Sequence, residues 1–454
     1  MTHSIPLTWL LLAALPACSS ASSTQGSLES DPTRAALLDL SLPTTPVLPK
    51  DVSNHWADDP AAAALGQRLF FEAGFSGQLL DGDNDGTPAA LGRQGELGKV
   101  SCAGCHLPDH GFSDTRSIRG QISLGAGWGR RRAPSLLDIA QSKLLMWDGR
   151  HDALHNQVFG PIESPVEMNG SRLYAAEQVF ALHRADYERV FGAMPPLDDA
   201  TRFPPLTGKA FGCAILDEQD RVCRGQPRGV PGDGAEYDGM ASADQEAVTR
   251  VVVNVGKAIG AYERLLTCGQ APFDRWVTGA DPNALSAAQI RGANLFVGKA
   301  KCSSCHSGPY LSDEKFHNVG LQPAIVATVF LDDNDLGASV GLASMMADPL
   351  NVQGKFSDGD DGRIPSSLDG SLLGAFRTPK LRCVEQRPSF MHTGQMTNLD
   401  EVVLFFDHGG NEFGFPGKSE LTPLGLVPEE RADLVAFLRS LTGPGPSAEL
   451  RAAP

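Results

Sequence analysis

Two pentapeptides of the same pattern hold the residues with the clearest chemistry in this chain. They are Cys102-Ala103-Gly104-Cys105-His106 and Cys302-Ser303-Ser304-Cys305-His306. Cys-x-x-Cys-His is the attachment motif of c-type haem, whose vinyl groups take the two thiols while the His nitrogen binds iron. A zinc knuckle or a redox-active Cys-x-x-Cys is the alternative, but a chain with 9 Cys and 11 His in 454 residues does not produce this pattern twice by chance. The sequence therefore predicts two covalently bound haems c, with His106 and His306 as iron ligands and Cys102, Cys105, Cys302 and Cys305 as attachment points.

The N-terminus predicts export. The apolar run Leu7–Leu15 is much shorter than the ~20 residues of a membrane span and is followed by Pro16-Ala17-Cys18. We interpret residues 1–18 as a lipoprotein signal peptide that leaves a lipid anchor on Cys18, and residues 19–50 as a flexible tether. A plain secretory signal is the alternative. Either signal takes the chain into the bacterial periplasm, where disulfides form, and the lipid would hold it at the outer membrane.

The remaining cysteines suit an oxidising compartment. Four are left once Cys18 and the haem cysteines are set aside, namely Cys213, Cys223, Cys268 and Cys383. A Cys213–Cys223 bond would close a short loop, and Cys268–Cys383 would then link distant segments. Four free buried thiols are the alternative.

Composition limits the class of protein. About 430 mature residues exceed one ordinary core, so two domains are expected. An apolar content of 41% without a long apolar segment indicates a water-soluble body. The net charge of -16 argues against a nucleic-acid partner and favours a basic electron-donor protein. An acidic surface kept for solubility explains the charge equally well.

The two haem motifs lie in segments that resemble each other. Each follows a Gly-x-x-Leu-Phe sequence, and further along the two halves match at a constant offset of 245 residues. Examples of this match are Arg132–Leu136 with Arg377–Leu381, Gly149 with Gly394, and Leu154 with Leu399. The repeat predicts a mainly α fold of two cytochrome c-like haem domains related by internal duplication, with long loops.

The predicted domain boundaries follow from this repeat. We expect an N-terminal haem domain over 51–243, with an inserted loop at 194–243, and a C-terminal haem domain over 285–445. Apolar side chains at helical spacing predict a helix over 245–266 in the connecting segment 244–284. Asn398 is expected to cap a helix that runs through Phe406.

The segment after the first haem motif holds candidates for peroxide chemistry. A haem with a Met, His or Tyr on its second face transfers electrons, whereas an open face beside an acid–base group permits reaction with peroxide. Pro161 cannot bind iron, Glu167 can move a proton between the two peroxide oxygens, and Gln157 can orient the substrate. A surface or capping role is the alternative for Glu167.

Several longer motifs carry a family resemblance. They are Arg131–Leu136, Trp147–Arg150, Gly160–Met168, Phe316–Gly320, Phe376–Arg382 and Met391–Gly394. On these motifs the chain resembles the bacterial di-haem cytochrome c peroxidase family, which includes the methylamine-utilisation (MauG-type) enzymes. The similarity runs from about Leu65 to Leu441, with insertions near 80–97, 194–243 and 325–370.

The resemblance implies roles for particular residues. The N-terminal haem would be the peroxide site, and the C-terminal haem would take electrons from a small cytochrome c or cupredoxin. Gln157 and Glu167 would form the catalytic pair, and Trp147 the aromatic bridge between the haems. His317 and His392 would hydrogen-bond the haem surroundings.

The chain departs from the family at three positions. Ala126 stands where many family peroxidases have a His that caps the first iron, which implies an open first haem. Phe406 stands where the second haem takes Met or Tyr, so its sixth ligand is absent or comes from Met391, Met396, His392 or His408. Arg132 stands where the family has a calcium-binding Asn.

The acidic loop that begins at Asp81 is a second possible calcium site. The acidic loop Asp81–Gly86 begins like a calcium-binding loop but has Gly92 in place of the final Glu. A bound calcium is therefore left open.

Three functions remain after this reasoning. The first is a peroxidase that reduces hydrogen peroxide. The second is a MauG-type oxidase that modifies a partner protein, and the third is a non-catalytic electron-transfer or redox-sensing cytochrome.

Overall fold

The computed structural model describes residues 1, 32–115, 122–206, 211–216, 223–224, 227–322 and 335–454. The predicted signal peptide, including Cys18, lies outside these residues. Within them, no helix is long and apolar enough to cross a membrane.

The fold is mainly helical with few strands, as the sequence predicts. The α-helices are α1 Pro32–Asp39, α2 Pro60–Phe71, α3 Cys102–Cys105, α4 Leu154–Gln157, α5 Phe159–Glu163, α6 Arg172–Leu182, α7 Arg184–Phe191, α8 Ser242–Glu263, α9 Pro272–Val277, α10 Ala287–Val297, α11 Ala338–Ala347, α12 Leu399–His408 and α13 Pro428–Arg439. Short 3-10 turns lie at Pro108–His110, Ile139–Gln141, Cys302–Ser304, Gly370–Leu372, Val384–Gln386 and Glu449–Arg451. Two antiparallel strand pairs complete the described structure, β1 Ile215–Leu216 with β2 Cys223–Arg224, and β3 Phe316–His317 with β4 Phe376–Arg377.

The first hydrophobic core is built around α8. The predicted helix over 245–266 is confirmed, and its residues Val248, Val252 and Val255 are at most 1% exposed. Helix α2 packs directly on it, because a Cβ on Gly66 would lie 1.9 Å from the backbone oxygen of Ala258. Only glycine permits this approach, which holds α8 against the helix that leads to the first haem motif.

The second core joins α10, α12 and α13 with the N-terminal segment. Leu37 and Leu40 are 2% exposed within this core, and the Leu42 amide donates to the Asp274 carboxylate at 2.7 Å. The predicted tether over 19–50 is therefore folded from Pro32 onward. Its apolar side chains are buried against the C-terminal half, a contact that composition alone does not reveal.

Two disulfides confirm the predicted pairing. Cys213 is bonded to Cys223, and Cys268 is bonded to Cys383. The second bond joins the chain just after α8 to the C-terminal half, 115 residues away. The four cysteines of the haem motifs are not paired with each other.

Backbone conformation recurs at the 245-residue offset found in the sequence. Helices α4 and α5 together span Leu154–Glu163. Adding 245 to these residue numbers gives the bounds of α12, Leu399–His408. Residues with a left-handed backbone conformation also correspond at this offset, namely Asp138 with Cys383, Met146 with Met391, and Gly149 with Gly394. The isolated bridge Leu145–His151 corresponds in turn to Phe390–Met396. Helix α12 begins after the Asn398 cap, as predicted, and runs two residues past Phe406.

Candidate active site

A cavity of about 520 Å³ lies beside the first haem motif. Its walls include Cys102, Cys105 and His106 together with the three residues predicted to act in catalysis, Trp147, Gln157 and Glu167. The volume falls in the range of small-molecule and cofactor sites. The fold therefore brings all of these sequence-predicted residues to one place.

The first haem motif is held by short-range hydrogen bonds. The Ser101 side chain accepts the Gly104 amide and caps α3, which presents the two cysteines on one turn. The His106 Nδ1 atom lies 3.2 Å from the Phe112 carbonyl oxygen, which can only accept, so Nδ1 carries the proton and Nε2 is left for a metal. Burial lowers the pKa of His106 to about 4, so the imidazole is neutral.

These residues fit a c-type haem. The Cys102 and Cys105 thiols form no disulfide, and the neutral imidazole has one nitrogen available. Arg132 also lines the cavity, and its buried Nε and Nη2 atoms have no hydrogen-bond partner among the described residues. A haem supplies both the vinyl groups for the thiols and carboxylates that suit such a cation.

The second haem motif is built in the same way. The His306 Nδ1 atom lies 2.9 Å from the Leu311 carbonyl oxygen, and burial lowers the pKa of His306. Phe296 of α10 packs beside the imidazole with ring centroids 6.5 Å apart. This arrangement again leaves Nε2 for a metal.

The candidate sixth ligands of the second haem lie in different surroundings. His392 is 6% exposed and stacks on Phe376 at 3.7 Å between ring centroids, and Met396 is 8% exposed within the second core. Met391 is partly buried against that core, whereas His408 is exposed at the end of α12. Phe406 is half-buried on α12, at the position that corresponds to Pro161 in the cavity wall.

Glu167 has the environment of a proton carrier. It is partly buried in the cavity wall, and burial raises the pKa of its carboxyl while the charge of Arg150 acts in the opposite direction. Its carbonyl oxygen accepts the Ala126 amide at 2.7 Å. A carboxyl with a raised pKa holds a proton at a pH where an exposed one has lost it, which suits general acid–base work.

The loop that holds Ala126 lies directly against Glu167. Ala126 is fully buried, and its methyl group offers nothing to bind iron. The Gly127 amide donates to the Val166 carbonyl at 3.0 Å, and a Cβ on Gly125 would lie 2.5 Å from the Glu167 carbonyl oxygen. The loop is therefore fixed by backbone contacts to the segment that carries the acid.

Gln157 completes the polar side of the cavity. Its Nε2 atom lies 3.6 Å from the Met146 sulfur, a weak acceptor that leaves the amide available for a stronger partner. Pro161, four residues further on, also lines the cavity.

Trp147 contacts both halves of the molecule. Its Nε1 donates to the Arg132 carbonyl at 2.8 Å in the N-terminal half, and its own carbonyl accepts the Arg377 amide at 2.8 Å in the C-terminal half. Its ring lies 6.4 Å from that of His392, which stacks on Phe376. Aromatic rings therefore continue from the cavity wall into the C-terminal half.

Sequence reasoning missed part of the cavity wall. Glu263, the last residue of α8, is 6% exposed there, and burial raises the pKa of its carboxyl to about 8. The segment Asp335–Val340, which leads into α11, forms another part of the wall. Arg131 holds this segment through a bidentate contact to Asp335 at 2.6 and 2.7 Å, and it also pairs with Asp148. The one sequence signal that could have identified Glu263 is the presence of a glutamate at the end of an apolar helix.

Carboxylates of the acidic loop near residue 81 accept hydrogen bonds from backbone amides of the same loop. Asp81 accepts the Asp83 amide at 2.9 Å, and Asp85 accepts that of Thr87 at 2.9 Å. Asp83 accepts the Trp128 indole at 2.9 Å. No group of three or more His, Cys, Asp or Glu side chains in the described ranges is arranged to hold a metal ion.

Known proteins share these features. The sequence pattern of the di-haem cytochrome c peroxidase family matches residues 60–216. The methylamine utilization protein MauG of Methylorubrum extorquens is 31% identical over 386 residues, which cover 84% of this chain and 78% of that protein. The cytochrome-c peroxidase IdrP1 of Denitromonas iodatirespirans is 28% identical over 441 residues, or 95% of this chain and 92% of that one. Cytochrome c551 peroxidase of Pseudomonas aeruginosa is 27% identical over 352 residues, or 77% and 75%.

A solved structure shares the fold. The diheme peroxidase BthA of Burkholderia thailandensis overlays with a TM-score of 0.56 at 22% identity, covering 89% of each chain. A mainly helical chain with two haem-attachment motifs is a di-haem c-type cytochrome. Within that class the chain belongs to the di-haem cytochrome c peroxidase family, a family of oxidoreductases with two c-type haems.

Proposed function

We propose that this protein reduces hydrogen peroxide to water at its N-terminal haem, with electrons that enter through its C-terminal haem. The observation that carries the proposal is the position of Glu167, a carboxyl of raised pKa in the cavity that His106 lines. The reaction consumes two electrons and two protons per peroxide and yields two waters. The haem supplies the redox chemistry and the iron that binds peroxide.

The side chains of this cavity have separate tasks. Glu167 takes a proton from one peroxide oxygen and delivers it to the other, which makes the departing oxygen a better leaving group. The Gln157 amide hydrogen-bonds the substrate and orients it. Ala126 and Pro161 offer no atom that competes with peroxide for iron.

Electrons reach this cavity through the junction of the two halves. Trp147 is the aromatic bridge, a role supported by its hydrogen bonds to Arg132 on one side and Arg377 on the other. We further propose that the two halves arose by duplication, which the matching bounds of Leu154–Glu163 and Leu399–His408 support.

The donor and the location of the protein follow from the same proposal. A small cytochrome c or cupredoxin donates electrons in the bacterial periplasm, and the lipid on Cys18 anchors the protein to the outer membrane. The net charge of -16 favours a basic donor. The two disulfides are consistent with an oxidising compartment.

Replacement of Glu167 by Gln tests the catalytic assignment. The substitution keeps the size and hydrogen bonding of the side chain but removes the proton carrier. Peroxide turnover with a reduced cytochrome c should fall by roughly 10²–10⁴-fold, the usual contribution of an acid–base group. Both haem spectra should be retained.

Glu163→Gln is the matched control. Glu163 lies four residues earlier on α5 and pairs with Arg172 at 2.6 and 2.9 Å instead of lining the cavity. Its replacement should leave turnover within a few-fold of the native rate. Equal turnover in the Glu167 and Glu163 variants would refute the role of Glu167. No turnover by the native protein with any donor would favour the electron-transfer alternative.

A MauG-type oxidase is the second candidate. Its support is the relative of that name, which is 31% identical across most of the chain. Such an enzyme would consume peroxide without a donor cytochrome, while it oxidises residues of a partner protein. Turnover that depends on the donor concentration distinguishes the peroxidase from this alternative.

A further inference from the structure

Among the residues that the structure describes, none forms an ion pair with the buried Arg132 guanidinium. The side chain is 2% exposed, and its Nε and Nη2 atoms make no hydrogen bond. A buried charge that is neither paired nor hydrogen-bonded is strongly unfavourable, so such a group indicates a ligand of opposite charge. Arg132 is one of the residues that line the cavity of the first haem motif, which is where that ligand would lie.

The backbone of Arg132 is fixed between the two halves of the chain. Its amide donates to the His392 carbonyl at 2.8 Å, and its carbonyl accepts the Trp147 indole at 2.8 Å. The side chain therefore projects from an anchored point. Arg132 and the proposed iron ligand His106 line the same cavity.

A second cation adds to the need for an anion. Burial and, to a smaller extent, the charge of Arg387 lower the pKa of Arg132 to about 9, while the charge of Asp114 opposes the shift. The Arg387 Nε atom is itself buried without a hydrogen-bond partner among the described residues. The two buried guanidiniums therefore repel each other.

The chemistry of the site selects a carboxylate. A guanidinium offers a planar fork of N–H donors that matches a carboxylate with two parallel hydrogen bonds. A haem carries two propionate carboxylates on the edge away from its vinyl groups. We propose that Arg132 is an anion-binding residue of the first haem site, where its guanidinium holds a propionate of that haem.

Redox titration of three variants tests this proposal. Arg132→Met removes the charge, Arg132→Lys keeps it, and Arg189→Met, which removes a charge on an exposed side chain away from the cavity, is the control. Loss of a fixed positive charge favours ferric iron, so the ferrous-to-ferric ratio of the first haem at a fixed potential should fall about tenfold in the Met variant. This fall equals ~59 mV for a one-electron couple. The Lys variant should recover most of it, and the control should match the native protein.

The pH dependence of the potential separates ion pairing from a packing role. A propionate that loses its cation gains a proton more readily, so the Met variant should show a pH-dependent potential between pH 5 and 8 where the native slope is smaller. Unchanged potential and slope in the Met variant, with both haems attached, would overturn the proposal. A shift of the native potential on addition of phosphate that is absent in the Met variant would also overturn it, because Arg132 would then bind an anion from solution.

Haem content gives a second readout if the Met variant matures poorly. Loss of the first haem in the Met variant but not in the Lys variant would support a charge that holds the cofactor. Equal loss in both variants would overturn the proposal, because only the packing of the native side chain would then matter.

Discussion

Removal of Arg382 should destabilise the C-terminal half severely. Arg382 and Asp274 are both fully buried and form a bidentate ion pair, with N–O distances of 2.7 and 2.9 Å. Arg382 also donates to the carbonyls of Leu40 and Pro309, each at 2.8 Å. Arg382→Met would leave the Asp274 carboxylate buried with only the amides of Leu42 and Ala271 as partners.

The expected cost is about 3–5 kcal/mol, the usual result of breaking a buried pair from one side. Against a total stability of about 5–15 kcal/mol this is a large loss. Urea unfolding of the protein with both haems attached, followed at the second haem's absorbance, measures it. Because Arg382 holds the Leu40 carbonyl, the segment 32–42 should also become sensitive to protease.

Two further variants test whether the Arg382–Asp274 ion pair is the source of this stability. Arg439→Met breaks a pair with Glu385 that is about half exposed on both sides and should cost about 0–1 kcal/mol. In an Asp274→Asn background, the Arg382 substitution should cost less than it does in the native protein, because no carboxylate charge is left unpaired. A loss no larger than that of the Arg439 variant, or an equal loss in both backgrounds, would show that the ion pair is not what stabilises this region.

Two other predictions concern the carboxyl of Glu263 and the second haem. Burial raises the pKa of Glu263 to about 8 from an ordinary value of 4.5, so the folded protein keeps a proton that the unfolded chain releases. Stability should therefore fall as the pH rises from 4.5 to 8, by up to about 1.4 kcal/mol per pH unit, and Glu263→Gln should flatten this slope in urea unfolding at several pH values. If stability falls equally steeply with pH in the Gln variant, then groups other than Glu263 cause the pH dependence. Phe406→Met should create a Met–haem charge-transfer band and raise the potential of the second haem, whereas Phe406→Ala should change neither. A native Met–haem band that survives replacement of both Met391 and Met396 would show that α12 does not face the second iron.

Local patterns in the sequence predicted much of the fold. The apolar spacing from Val248 onward identified α8, and the Asn398 cap identified α12. Both features depend on residues a few positions apart, which hydrogen-bond or share a helix face whatever the rest of the chain does. The even cysteine count suggested two disulfides, but four cysteines allow three pairings, so the sequence offered the observed pairs only as one possibility.

Contacts between distant segments escaped prediction. Nothing near Pro32 indicates that α1 is buried against the C-terminal half, or that the carbonyl of Leu40, just after α1, accepts from Arg382. The segment before α11 has no motif either, yet Arg131 binds Asp335 and brings it to the cavity. Such contacts depend on surfaces that exist only once both halves are folded.

The Trp147–Arg150 motif shows how a short sequence signature can join two halves of a protein. Trp147 bonds to both halves, and Asp148 pairs with Arg131, which in turn holds the segment before α11. Gly149 has a φ of +75°, and a Cβ there would lie 2.5 Å from Phe316 and 2.7 Å from Leu342. Only glycine therefore lets the C-terminal half approach this loop so closely. The charge of Arg150 opposes the rise of the pKa of Glu167. The four residues Trp147–Arg150 thus connect the junction of the two halves with the proposed catalytic acid. A change at this junction should therefore alter the pKa of Glu167.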